Sequence, residues 1–238
     1  MAEIQVYLDK YLLAGATALK TAELLKDAIN DNGHAVWILA GGSTPALAYE
    51  RIVKDFGAFL DWQKVYFLIG DERTVLINDE LSNYKAIKRD LLDKLDIDQS
   101  KVVIPNYSQN NKKDAEEYSD KVRALLANFN DRIDVLWLGI GEDGHTLSLF
   151  PGNQAINNVE DYVIPVENSP KPPSARISLG LRALRNVDNA IVLVSGDGKK
   201  KIFKEIKAGK ELPINIVVKH LEQYGTRVEW LVSSEADS

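Results

Sequence analysis

Residues 134–152 read Asp-Val-Leu-Trp-Leu-Gly-Ile-Gly-Glu-Asp-Gly-His-Thr-Leu-Ser-Leu-Phe-Pro-Gly. The apolar run Val135–Ile140 is bounded by an aspartate and by glycines, which is typical of a strand covered on both faces, as in a parallel sheet. The following glycines allow a sharp bend, and Asp143 and Thr146 predict the start of a short helix that the Pro-Gly pair would end. His145 is therefore expected at the carboxyl end of a strand, where open α/β sheets bind ligands.

The glycines of this turn also match the dinucleotide-binding pattern Gly-x-Gly-x-x-Gly, with Glu160 and Asp161 near the expected place of its ribose-binding acid. We reject this interpretation because Glu142 and Asp143 would put carboxylates where the pyrophosphate should lie. The motif also lies well past the middle of the chain, whereas the fingerprint normally occupies the first strand-to-helix turn. No cofactor is predicted.

The composition is that of an ordinary globular protein, with 45% hydrophobic and 27% charged residues among 238. We expect a single α/β domain over residues 1–238, because this length suffices for one substantial core. The net charge of −6 argues against nucleic-acid binding, although a local basic pocket can still hold an anion. The expected partners are therefore small molecules, and a monomer or small homo-oligomer is predicted.

The chain contains no cysteine, which excludes disulfides, thiolate nucleophiles and cysteine-ligated zinc. Its three histidines, His34, His145 and His220, are far apart and lack metal-binding spacing, so no metal site is predicted. The N-terminus shows no basic leader, and no run approaches the roughly 20 apolar residues of a membrane span. A cytoplasmic protein without membrane contact is expected.

Further apolar runs alternate with helical patterns along the chain. They predict strands at Ala35–Ala40, Val65–Ile69, Val102–Ile104, Arg176–Leu179, Ala190–Val194 and Val228–Val232. Helices are expected between these strands, residues 152–165 are expected to be irregular, and residues 213–220 fit either a strand or a helix. This alternation predicts one doubly wound, mostly parallel sheet with helices on both faces, a Rossmann-like α/β fold.

The turn after the first predicted strand, Gly41-Gly-Ser-Thr-Pro45, leads into a helix with proline in its first turn. The free amides of such a turn and the hydroxyls of Ser43 and Thr44 can surround an anion at the positive end of the helix. Phosphate is the natural ligand for Gly42, Ser43 and Thr44. A capped turn without a ligand is the alternative that this motif alone leaves open.

Charged residues follow the other strands. Asp71-Glu-Arg73 follows one strand, Lys199 follows another, and a proline-rich segment leads to Arg176. Because the carboxyl ends of parallel strands share one edge, we expect these groups to converge on His145. A histidine with carboxylates, arginines and a lysine predicts acid–base chemistry on a phosphorylated small molecule.

Several segments together resemble the 6-phosphogluconolactonases: Asp71–Val75 with Ser82–Tyr84, the run Gly139–Gly152, and Ser169–Ile177. The resemblance extends over nearly the whole chain, and the wider superfamily includes glucosamine-6-phosphate deaminases and ribose-5-phosphate isomerases. Sequences that resemble the deaminases carry a catalytic glutamate at the position where this chain has Phe150. A phenyl ring cannot transfer a proton. The resemblance therefore implies hydrolysis of 6-phospho-D-glucono-1,5-lactone to 6-phosphogluconate, in the oxidative pentose phosphate pathway.

The resemblance also implies a role for each candidate residue. His145 would be the general base that activates water, with Asp71 or Asp143 orienting its ring and a helix N-terminus favouring neutral imidazole. The expected phosphate site comprises Gly42, Ser43, Thr44, Arg73, Arg176 and Lys199.

Two points stay open at this stage. Lys200 stands where the family usually has a small residue, so that the choice between Lys199 and its neighbour is less secure. A deaminase-like enzyme acting on a hexosamine phosphate, and a non-catalytic sugar-phosphate sensor, remain as alternative functions.

Overall fold

A computed structural model describes residues 3–237. Ten strands occur in this range: β1 (Glu3–Tyr7), β2 (Ala35–Leu39), β3 (Val65–Ile69), β4 (Asp71–Arg73), β5 (Val102–Val103), β6 (Ile133–Gly139), β7 (Val163–Val166), β8 (Arg176–Leu179), β9 (Val187–Val194) and β10 (Arg227–Ser233). The α-helices of the same range are α1 (Lys10–Asn32), α2 (Ser43–Arg51), α3 (Asn83–Asp90), α4 (Asn111–Ala127), α5 (Lys200–Lys207), α6 (Pro213–Gln223) and α7 (Ser234–Asp237).

Seven strands form one parallel sheet in the order β1-β10-β9-β6-β2-β3-β5. Successive side chains of a strand point to opposite faces. In β2, Trp37 belongs to the core packed under α1, α2 and α3, whereas Ile38 belongs to the core under α4, α5 and α6. The predicted doubly wound, mostly parallel α/β sheet with helices on both faces is confirmed.

A second, three-stranded antiparallel sheet has the order β4-β8-β7 and was not predicted. The segment Asp71–Arg73 has three charged residues and Val163–Val166 contains a proline, so neither shows the apolar alternation of a typical strand. Gly70 joins the two sheets, because its N–H donates to the carbonyl of Leu39 at 3.0 Å and its carbonyl accepts from the N–H of Leu179 at 2.9 Å.

Helices lie between most of the predicted strands, as expected. α3 begins after Ser82, whose side chain caps it. The ambiguous segment after Leu212 is helical and starts with Pro213 in its first turn. Between residues 3 and 237, none of the helices combines the length and the apolar character needed to cross a membrane.

Candidate active site

The carboxyl ends of several parallel strands border a cleft of ≈ 260 Å³. Residues of the small sheet and of the segment before α5 complete its walls. Six of the residues predicted for the site line this cleft: Gly42, Asp71, Arg73, His145, Arg176 and Lys199. The convergence expected at the edge of a parallel sheet is therefore observed.

The other predicted residues lie beside the cleft, outside its lining. Ser43 and Thr44 are the first residues of α2, and Gly42 before them has a φ of 114°, which favours glycine. Asp143 reaches the cleft through its contact with His145. Of Gly42, Ser43 and Thr44, Gly42 therefore lines the cleft and the two hydroxyl residues do not.

Residues 140–150 form a hydrogen-bonded turn, and the short helix predicted here is wrong. The N–H of Gly141 donates to the carbonyl of His145 at 2.8 Å. Gly144 and Leu147 adopt left-handed conformations, with φ of 82° and 52°, which interrupt a right-handed helix. The expected helix dipole at His145 is therefore not supplied by this segment.

Asp143 is the carboxylate that contacts His145. Its Oδ1 atom is hydrogen bonded to Nδ1 of His145, and Nζ of Lys171 lies 3.8 Å from the same oxygen. Burial opposes ionisation, but the hydrogen bond and charge of His145, with the charge of Lys171, hold the pKa of Asp143 well below its ordinary value. With Nδ1 engaged, Nε2 is the ring nitrogen that can accept a proton.

Asp71, the other candidate for orienting His145, has different partners. Its Oδ2 atom accepts a hydrogen bond from Oγ of Ser148 at 2.6 Å. The side-chain amide of Asn83 donates to the main-chain carbonyl of Asp71 at 2.8 Å. The geometry therefore favours Asp143 as the carboxylate that orients His145, and it leaves Asp71 as a fixed acceptor on the cleft wall.

Glu72 lies between the cleft residues Asp71 and Arg73 in the sequence, but its carboxylate is buried and does not line the cleft. It is 2% exposed, and burial raises its pKa while hydrogen bonds oppose that shift. Its carboxylate accepts five hydrogen bonds, from the N–H groups of Arg73, Asn83 and Tyr84 and from the hydroxyls of Ser82 and Tyr107. Glu72 thereby joins β4 to the start of α3.

Arg176 is held firmly at the cleft wall. Its side chain is buried, with Nε donating to the carbonyl of Pro173 and Nη2 to the carbonyl of Lys171, both at 3.2 Å. The guanidinium lies over the ring of Phe150, 5.2 Å from its centroid. Burial lowers the pKa of Arg176, and the negative charge of Asp71 opposes this shift, so a bound anion would further stabilise the cation.

Two further predicted cations face the same space. Nη1 of Arg73 donates to the carbonyl of Leu81 at 2.7 Å, whereas its buried Nε has no hydrogen-bond partner in the described part of the chain. Burial lowers the pKa of Lys199, and the charge of Glu142 opposes that effect. Together with Arg176 these side chains can surround a multiply charged anion.

Lys171 also lines the cleft, and it was missed among the candidate residues. It lies in the proline-rich segment that resembles the lactonases, where the sequence shows no helical or strand periodicity. Its position as the lysine nearest to Arg176 in that segment could have marked it as a candidate for the phosphate site. Its distance from Asp143 depends on the folded loop and could not be read from spacing.

The fold and the cleft define a class of α/β proteins in which a histidine–carboxylate pair and basic side chains meet at the edge of a parallel sheet. The family described as glucosamine-6-phosphate isomerases/6-phosphogluconolactonase has a model that matches residues 8–229. The chain belongs to this family. The predicted resemblance is confirmed.

Individual relatives agree with this assignment. A probable 6-phosphogluconolactonase of Schizosaccharomyces pombe is 31% identical over 243 residues, which cover 97% of this chain and 93% of that protein. The 6-phosphogluconolactonase structure from Thermotoga maritima superimposes with a TM-score of 0.86 at 25% identity, covering 98% of this chain and 100% of its own. A monomeric glucosamine-6-phosphate deaminase, at 20% identity and a TM-score of 0.79 with 98% of each chain covered, shows the shared fold alone.

Proposed function

We propose that the protein is a 6-phosphogluconolactonase, which hydrolyses 6-phospho-D-glucono-1,5-lactone to 6-phosphogluconate in the oxidative pentose phosphate pathway. The observation that carries this proposal is the packing of Phe150 on His145, with ring centroids 4.4 Å apart. The deaminases resemble one another in carrying a glutamate where this chain has an apolar ring, so that position 150 cannot transfer a proton. His145, which lines the cleft and is paired with Asp143, is then the group of the turn placed for that step. A lactone carbonyl is already electrophilic, and water with one general base suffices.

His145 acts as the base through Nε2. It takes a proton from water as the water oxygen bonds to C1 of the lactone, and the carbonyl electrons move onto the exocyclic oxygen. The C1–O5 bond then breaks as the carbonyl re-forms, and the imidazolium returns its proton to O5. The new carboxylic acid releases one proton to solvent. Such a base contributes about 10²–10⁴-fold to the rate.

Asp143 holds the imidazole through Nδ1 and stabilises the imidazolium that forms during the reaction. Its lowered pKa keeps the carboxylate ionised, as this role requires. Asp71, fixed by Ser148, accepts hydrogen bonds from the sugar hydroxyls at the cleft wall. The catalytic assignments are thus His145 as base, Asp143 as its partner and Asp71 beside the substrate.

The cations of the cleft bind the 6-phosphate. Arg73 and Arg176 offer planar N–H donors and Lys199 a point charge, while the amides around Gly42 supply the cradle that Ser43 and Thr44 extend. Two observations support an anion at this place: Nε of Arg73 has no hydrogen-bond partner among residues 3–237, and burial lowers the pKa of Lys199, whose ammonium an anion would stabilise. A cytoplasmic location, a single domain over residues 1–238, and a monomer or small homo-oligomer remain predictions.

The proposal is tested by proton release from freshly prepared 6-phosphogluconolactone, corrected for spontaneous hydrolysis, with unphosphorylated gluconolactone alongside. We expect kcat/KM to be about tenfold to a hundredfold higher for the phosphorylated lactone, because the unphosphorylated lactone lacks the charged hydrogen bonds that phosphate would make. Ammonia release from glucosamine 6-phosphate without lactone hydrolysis would overturn the proposal in favour of a deaminase. Binding of 6-phosphogluconate without either turnover would favour a sensor.

A further inference from the structure

Phe150 contacts both the base and a cation of the candidate phosphate site. Its side chain is completely buried. The ring centroid lies 4.4 Å from that of His145, with the planes inclined by 35°, and the guanidinium of Arg176 lies 5.2 Å from the same centroid. One aromatic ring thus connects the group that would move protons with a group that would hold phosphate.

Arg176 and His145 are also connected through Lys171 and Asp143, on the side away from Phe150. Nη2 of Arg176 donates to the carbonyl of Lys171 at 3.2 Å, and Nζ of Lys171 lies 3.8 Å from Oδ1 of Asp143. That same oxygen is hydrogen bonded to His145. Displacement of the Phe150 ring would therefore remove one packing contact from Arg176 and one from His145.

We propose that Phe150 is a positioning residue that couples the orientation of His145 to that of Arg176. The inference rests on the proposed function, in which these two side chains act on opposite ends of one substrate. A cation over an aromatic face is attracted by the ring quadrupole, most strongly where both groups are desolvated. A branched aliphatic side chain fills the core but offers neither that face nor a flat surface for the imidazole.

Phe150→Leu is the direct test, and Phe129→Leu is its matched control. Phe129 also stacks on a histidine, with its centroid 4.0 Å from that of His34, but neither residue lines the cleft. We expect Phe150→Leu to lower kcat and to raise KM for 6-phosphogluconolactone, each about tenfold. Phe129→Leu should change neither by more than about twofold, while thermal unfolding confirms that each variant is folded.

A double-mutant cycle separates positioning from general loss of packing. Phe150→Leu, Arg176→Met and the double variant are compared in kcat/KM, because methionine removes the cation that lies over the ring. Phe150→Met is a second ring-free variant should leucine prevent folding. Because the contact can be lost only once, the double variant should be about tenfold more active than the product of the single effects. Effects that multiply within about twofold, or a Phe150→Leu enzyme indistinguishable from Phe129→Leu, would overturn the inference.

The same cycle in the binding of inorganic phosphate needs no turnover. Phe150→Leu and Arg176→Met should each raise the Kd of phosphate, and the rise in the double variant should again fall short of the product of the two single effects. If the wild type binds phosphate with this coupling yet hydrolyses no lactone, the proposed function fails while the coupling stands. Normal lactone hydrolysis with independent effects on phosphate binding would instead overturn the coupling alone.

Discussion

His145 differs from His34 in what holds its ring. Asp143 engages Nδ1 and Phe150 packs against the ring, whereas Nδ1 of His34 lies 3.0 Å from the carbonyl of Asn32. A main-chain carbonyl fixes a tautomer but carries no full charge to stabilise an imidazolium. His145 therefore combines a defined orientation with an ionised partner, the two properties that a general base needs.

Lys199→Ala tests the phosphate site against its neighbour Lys200. Lys199 lines the cleft and is half-buried, whereas Lys200 is the exposed first residue of α5. Loss of a charged hydrogen bond to phosphate should raise KM for 6-phosphogluconolactone about tenfold to a hundredfold with Lys199→Ala. Steady-state kinetics of Lys200→Ala should match the wild type. An equal rise in KM for both variants would contradict the assignment.

At the residue scale, most residues of the candidate site could be predicted from the sequence, but the carboxylate that pairs with His145 could not. The candidates at strand ends, including Arg73, Arg176 and Lys199, line one cleft as expected. The choice between Asp71 and Asp143 stayed open because it depends on how the turn after β6 folds and on where β4 lies beside it, which spacing along the chain does not encode. Lys171 was missed for the same reason.

At the scale of elements, the turn that carries His145 depends on Gly141. A Cβ atom built at Gly141 would overlap the His145 ring and lie 2.5 Å from Oδ1 of Asp143. Gly141→Ala should therefore displace His145, the proposed base, and lower kcat by about 10²-fold or more, with little change in KM. The kinetics of Gly15→Ala in α1 are the control, because that Cβ would meet only Arg51 at 3.8 Å. Wild-type kcat in Gly141→Ala would refute this account of the turn.

Glu72→Gln tests how β4 is attached to α3. All five partners of the carboxylate donate hydrogen bonds, so an amide group would oppose at least one main-chain N–H. We expect the free energy of unfolding to fall by about 1–3 kcal/mol, measured by urea denaturation. Glu80→Gln, at an exposed side chain paired with Lys85, should cost less than about 1 kcal/mol. Equal stabilities of the two variants would argue against this attachment.

Elements with apolar runs were predictable and those held by charge were not. Val65–Ile69 and Ala35–Leu39 are strands of the main sheet because their side chains are buried on both faces. β4 is a strand because Glu72 and the pairing with β8 hold it, and neither feature has a sequence period. The helix predicted after Ile140 fails because Leu147 takes a left-handed conformation, which its side chain disfavours.

At the scale of the whole molecule, the lowered pKa of Asp143 links the site to the pH dependence of stability. A carboxyl whose folded-state pKa is depressed stabilises the fold above its unfolded pKa, and this contribution is lost as pH falls toward the folded value. The melting temperature of the wild type relative to Asp143→Asn should therefore be higher at about pH 5 than at about pH 3. A difference that is constant or grows on acidification would contradict the ionised pair.

The two sheets meet at Gly70, and the cleft is lined by residues of both sheets, among them Asp71 of β4 and Gly139 of β6. The central claim is that His145 is the general base of lactone hydrolysis. It is tested most directly by the rate of proton release from 6-phosphogluconolactone, compared among the wild type, His145→Gln and His34→Gln after correction for spontaneous hydrolysis. We predict that His145→Gln loses about 10²–10⁴-fold in kcat and that His34→Gln keeps the wild-type rate. A His145→Gln enzyme that hydrolyses the lactone at the wild-type rate would contradict the central claim.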